Sequence, residues 1–138
     1  MSAGRREGLK GVSLGLDMHN TNDNFMHSLR DATQKMSVAV DQRDGFIREN
    51  ITDAAAAVAR GDTKGADFLF GMVVHTIADK YSPVHRDAQG NPAIYPGPNH
   101  SRTDFTGRET SKHITASTMD AMKREIQAAH QQVYGKQP

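Results

Sequence analysis

Cysteine and tryptophan are both absent from this chain of 138 residues. The first absence excludes a disulfide scaffold, a cysteine zinc finger, an iron–sulfur site and a thiol nucleophile. An excess of one charge is lacking too. The 17 basic and 16 acidic residues leave a net charge of +1 with histidine neutral, which is not the basic footprint of a duplex-binding protein. A small substrate or a single strand stays open. Aromatic residues are only 6% of the chain, so no rich stacking platform is expected. No apolar run approaches the roughly 18 residues of a membrane span. The opening MSAGRREGLKG is basic but has no apolar h-region, so no signal peptide is visible. The length suits one domain. At this size about 68–70% of the unfolded surface can be buried, so the chain can fold without disulfide or metal staples. Any chemistry then falls to His, Asp, Glu, Ser, Lys or Arg.

Residues 1–16 are Gly-rich and basic and read as a flexible lead-in to a single domain over 17–138. The polar cluster Asn20 to Asn24 supplies cap residues, and Asp23 is placed to cap a short helix through His27 and Leu29. A first long helix is expected over Ser37–Arg60. Val40, Ile47, Ile51, Ala54 and Val58 recur at helical steps, Ser37 suits the N-cap and Gly61 the C-cap. A second helix is expected from Thr63 to about Lys80. Its centre, FLFGMVVH, is apolar almost all round, as in a helix covered by others. Ser82-Pro83 ends it, because a residue before proline avoids the α region. Residues 82–107 hold four prolines and three glycines and read as a long loop, a feature usually tied to function. A last helix is expected from about Thr110 to Tyr134, with Ile114, Met122, Ile126, Ala129 and Val133 as its apolar stripe. No segment reads as a strand. The expectation is an all-α helical bundle with a metal cluster at one end and a long Pro/Gly-rich loop beside it.

The chemistry concentrates in His75-Thr-Ile-Ala-Asp79-Lys-Tyr-Ser-Pro-Val-His85. Residues four apart on a helix project from one face, so His75 and Asp79 can offer a nitrogen and an oxygen to one ion at about 2.0–2.2 Å. Pro83 then turns the chain and brings His85 back towards the same end. His100 and Asp104 repeat the histidine–x3–carboxylate spacing, and Asp23 and His27 show it reversed. A single pair of this kind is more often a helix-surface ion pair; the coincidence of several points to metal ligation. His19, His27, His75, Asp79, His85, His100 and Asp104 are the candidate ligands, enough for two zinc ions, with manganese and nickel behind zinc for a nitrogen and carboxylate set. His113, paired with Glu109, is a reserve, and His130 is expected at the surface. Arg86 and Arg102 flank two candidate ligands and are candidates to clamp a substrate phosphate.

The pattern HxxxDxxxxxH with a Ser-Pro-x-His ending, carried here by His75, Asp79 and His85, resembles the zinc-dependent phospholipase C family, which shares its fold with the single-strand-specific zinc nucleases. The wording FLFGMVVHTIADKYSPVHRD, with NDNFMHSLRD upstream, is more similar still to a subgroup of Rhs-type polymorphic toxin C-terminal domains. The resemblance covers roughly residues 19–105. It implies an all-α fold with zinc at one end of the helices, two ions, or three with the family's full complement. The family's third site uses an N-terminal tryptophan that this chain lacks. It implies phosphodiester hydrolysis by a metal-activated water, with Asp79 bridging two ions and Asp23 as general base or orienting group. The substrate would be a phospholipid or a single-stranded nucleic acid, with Ile94, Tyr95 and Phe105 available as an apolar or stacking rim. It further implies a domain of a larger secreted effector delivered into a target cell, with a cognate immunity protein as partner. The competing class is a non-catalytic helical binding module with a structural metal site. Amide hydrolysis loses its commonest signature, since no HExxH occurs.

Overall fold

The computed structural model describes residues 21–94 and 114–135. Three α-helices carry the fold: α1 (Met36–Ala59), α2 (Thr63–Tyr81) and α3 (Ala116–Tyr134). The all-α expectation therefore holds. A 3₁₀ helix, Thr21–His27, precedes them, and a 3₁₀ turn, Pro83–His85, follows α2. Two two-residue strands, β1 (Leu29–Arg30) and β2 (Ala93–Ile94), pair in parallel with Leu29 opposite Ala93. Among the described residues no helix is long and apolar enough to cross a membrane.

α1 begins one residue before the expected start. Its N-cap is Lys35, which makes no side-chain cap bond, so Ser37 lies inside the helix and is not its cap. The buried stripe of α1 is Ala39, Arg43, Ile47, Asn50, Ala54 and Ala57. Val58, expected on that stripe, is 38% exposed. Two polar residues share the stripe. Arg43 donates to Asp44 and to Ser28, and Asn50 donates to the Phe46 carbonyl. Satisfied in this way, polar groups can be buried without a large penalty. Gly61, at φ +80°, takes the left-handed conformation that closes the helix.

Asp62 then caps α2, its carboxylate accepting from the Gly65 amide at 2.9 Å. α2 ends at Tyr81, and Ser82 is extended before Pro83, as the dipeptide requires. α2 contributes Phe70, Val73 and Ile77 to a core completed by Ile47 and Ala54 of α1 and Ala129 and Val133 of α3. Each large apolar side chain buried there is worth about 1.5–3 kcal/mol. The covering of α2 is incomplete, since Phe68 is 54% exposed.

α3 begins later than expected. Thr115 is its N-cap, accepting from the Thr118 amide, so Ile114 precedes the helix; residues 110–113 lie outside the described ones. Ala129 and Val133 are buried, and Met122 and Ile126 pack against the core, as the stripe predicts. His130, expected at the surface, is half-buried. Its ring packs on Phe70 and Tyr134, with centroids 5.5 and 4.8 Å away.

The stretch after α2 is more ordered than a plain loop. Arg86 bridges Pro92. Between them Asp87 organises a tight turn, its carboxylate accepting from the Gln89 and Asn91 amides. β2 then reaches β1, so the strap after α2 is tied to the strap before α1. Both straps lie at the C-terminal end of α2.

Candidate metal centre

The last two turns of α2 carry His75 and Asp79 on one face, as their spacing predicts. Their neighbour Thr76, fully buried, donates a 2.6 Å hydrogen bond to the Met26 carbonyl. That bond fastens the first 3₁₀ helix across α2 and delivers His27 to the same place. Ser28, the next residue, has φ +53°, a left-handed conformation that costs a non-glycine residue about 1–3 kcal/mol. Its hydroxyl accepts from the buried Arg43 guanidinium at 3.3 Å. The chain thereby turns sharply from the 3₁₀ helix into β1.

Three donor atoms meet there. His27 Nδ1 and His75 Nε2 each lie 3.0 Å from Asp79 Oδ2, and 3.3 Å from each other. The two imidazoles stand edge to face, 89° apart. A tetrahedral zinc with bonds of 2.0–2.1 Å separates neighbouring ligand atoms by about 3.3–3.4 Å, so all three edges are close to that spacing. One N–H on each ring would serve the two Asp79 edges, but it leaves the 3.3 Å approach of the two nitrogens to each other without a bond that favours it. The buried His27–His75–Asp79 group can hold a metal ion.

His85 completes the surroundings. The 3₁₀ turn after Pro83 buries it fully. Its Nδ1 is hydrogen-bonded to the His27 carbonyl. A carbonyl only accepts, so Nδ1 carries a proton, and in the neutral ring Nε2 is then the lone-pair nitrogen. Nε2 lies 3.6 Å from Asp79 Oδ1, the second oxygen of the carboxylate. Asp79 therefore stands between two donor sets. Burial alone would raise its pKa. The positive charge of His85 and His75 when protonated, with hydrogen bonds from His27 and His75, outweighs burial and holds the carboxyl well below the usual range. Asp79 is an anion at neutral pH, as a ligand must be.

His27, His75, Asp79 and His85 are thus brought together. Arg86 follows His85 but points elsewhere, over the Tyr81 ring. Asp23 belongs to the first 3₁₀ helix, but its side chain lies outside the described residues, as do His19, His100, Arg102, Asp104, Tyr95, Phe105, His113 and Glu109. Sequence reasoning missed the parts that hold the ligands in place. Thr76 was readable as the residue after a ligand histidine on a buried helix. The Arg43–Ser28 contact and the carbonyl of His27 left no pattern to read.

Glu125 of α3 makes the other link to this end of α2. Lys80 Nζ contacts both its oxygens, at 3.0 and 3.1 Å, and the Tyr81 hydroxyl donates to one of them. Compared with protein-family models, with curated proteins and with solved structures, the chain shows no match.

Proposed function

We propose that this chain is a zinc-dependent phosphodiester hydrolase, of the phospholipase C or single-strand nuclease type. The observation that carries the reading is the convergence of His27 Nδ1, His75 Nε2 and Asp79 Oδ2 at separations of 3.0–3.3 Å. Zinc held there would supply Lewis-acid chemistry, polarising a phosphoryl oxygen and lowering the pKa of a water to about 7. His27 and His75 would hold the ion as neutral imidazoles. Asp79 would neutralise part of its charge and fix the position of both rings. His85 Nε2 lies beside the second Asp79 oxygen, so His85 and Asp79 are the residues that would hold a second ion. The likeness of the His75–His85 segment to Rhs-type toxin domains supports an effector role in a target cell, with an immunity protein as partner.

One observation favours a second reading. His27 and His85 are fully buried and His75 and Asp79 nearly so, and closed sites are typical of structural zinc. A single experiment separates the two. Zinc content is measured on the purified protein and on His75→Ala, and both are assayed on phospholipid vesicles and on single-stranded DNA and RNA. The hydrolase reading expects bound zinc, turnover on one substrate class, and loss of both in the variant. Bound zinc without turnover on any substrate establishes the structural site instead. Full zinc retention in His75→Ala removes the metal centre itself.

A further inference from the structure

Around the Ser82-Pro83 break, lined by Tyr81 and Pro83, lies a cavity of about 270 Å³. Tyr81 and Pro83 form one wall, Arg86 and Gly90 a second, and Ile114 and Thr118 at the start of α3 a third. Its volume falls just below the ~300–1,000 Å³ of pockets for drug-sized ligands. It suits one small group rather than a whole lipid or an oligonucleotide.

Two charged residues line this cavity, Arg86 and Asp87. The guanidinium is half-buried and sits 5.6 Å above the Tyr81 ring centroid. Among the described residues it has no hydrogen bond and no carboxylate partner. The Asp87 carboxylate uses Oδ1 to accept from the amides of Gln89 and Asn91 and makes no ion pair with Arg86. Glu125 is likewise committed to Lys80 and Tyr81. A half-buried guanidinium with five donors and no acceptor among the described residues is a site suited to an anion.

The surrounding chain is shaped to put it there. Gly90 has φ +79°, and a Cβ on it would lie 2.5 Å from Arg86 Nη2. The turn needs glycine for its backbone, and the guanidinium needs the space that glycine leaves. Tyr81 is held by Glu125, so the ring under Arg86 is fixed in turn.

We infer that this cavity is an anion subsite, in which Arg86, stacked on Tyr81 and seated against Gly90, binds a phosphate group. Planar guanidinium matches phosphate bidentately. The cavity adjoins the segment Asp79–His85, so under the hydrolase reading the bound group is a phosphate of the substrate. Only that last identification rests on the hydrolase reading.

The test is calorimetric titration of the zinc-loaded full chain with inorganic phosphate, repeated on Arg86→Gln and Gly90→Ala. Losing a charged hydrogen bond costs about 1.5–3 kcal/mol, so affinity is expected to fall about tenfold or more in Arg86→Gln with zinc content unchanged. Gly90→Ala keeps the charge but displaces the guanidinium, and a similar fall is expected. Circular dichroism confirms that each variant keeps its helices. Phosphate binding as tight in both folded variants as in the parent overturns the subsite, because the ion then sits elsewhere, on the zinc included. Absence of saturable binding to the parent overturns it as well. Glycerol phosphate and a nucleoside monophosphate, titrated in parallel, identify the source. Tighter binding of either than of inorganic phosphate supports the subsite and says whether its ligand is a head group or a nucleotide. If phosphate binds through Arg86 but no diester is hydrolysed, the hydrolase reading falls and the subsite stands. If diesters are cleaved with the same KM in Arg86→Gln, the bound group is not a phosphate of the substrate, and that identification alone falls.

Discussion

Tyr81 occupies the junction between the donor cluster, the Arg86 cavity and α3. Its hydroxyl donates to Glu125, and its ring has Lys80 Nζ at 5.5 Å and the Arg86 guanidinium at 5.6 Å. Burial is the first cause pushing its pKa up, and the Glu125 carboxylate, as acceptor and as charge, is the second. Arg86 and Arg43 oppose them, and the value rises from 10.0 to about 12. The folded state therefore holds the phenol proton more tightly than the unfolded chain. The stability this contributes is complete below pH 10 and is lost as pH rises through 12. A spectrophotometric titration of tyrosine ionisation should show a late component near pH 12 that disappears in Tyr81→Phe. In Glu125→Gln the component should move down towards the ordinary value. A parent protein whose tyrosines all ionise near pH 10 would contradict the placement of Glu125.

At the scale of single elements, two glycines inside helices make opposite predictions. Gly45 lies mid-way along α1, and a Cβ there would meet only the Arg48 guanidinium at an ordinary 3.8 Å. Gly45→Ala should stabilise the protein by about 1 kcal/mol, the helix-propensity difference. Gly65 lies in the first turn of α2, where a Cβ would come within 2.2 Å of the Asp62 carboxylate. Gly65→Ala gains the same propensity but forces Asp62 off the helix end, and a lost cap costs about 1 kcal/mol. The expected net change is close to zero. Urea unfolding of the two variants compares them directly, and equal stabilisation of both would show that the Asp62 cap contributes nothing. The same local chemistry explains what the sequence made legible. Asp62, Gly61 and Ser82-Pro83 are strong punctuation, so the limits of α2 are readable to within a residue. The His75–Asp79 face and the return of His85 after proline follow from helix geometry and one break. α1 and α3 start less clearly, because Lys35 offers no cap bond and Thr115 competes with several hydroxyl residues nearby. The strands were not legible at all. Two residues are too few for an alternating pattern, and their pairing depends on contacts across 64 positions of chain, Leu29 to Ala93. His27 was readable as a candidate, but its delivery to Asp79 relies on Thr76 and on the unusual backbone of Ser28.

Across the whole molecule, the core and the donor cluster hold different parts together. The core, from Ile47 and Ala54 through Phe70, Val73 and Ile77 to Ala129 and Val133, belongs entirely to α1, α2 and α3. The donor cluster joins α2 to the first 3₁₀ helix through His27 and to the turn after Pro83 through His85. A metal bound only by the folded state stabilises it by about 2.7 kcal/mol at a hundredfold excess over Kd. That stabilisation should fall unequally on the structure. Chelation should leave the helical circular dichroism nearly intact while amide exchange accelerates over residues 24–30 and 83–94, where the straps lose their common anchor. Acid should do the same by another route. Metal ligands must be deprotonated, so protons compete with the metal for its ligands. Metal affinity should therefore fall on acidification before any helix unfolds. Asp79 does not set this threshold, because its carboxyl is held well below the usual range. Uniform acceleration of exchange over all three helices on chelation would mean that the metal centre nucleates the bundle. The separation of an apolar core from a metal-tied strap would then be wrong.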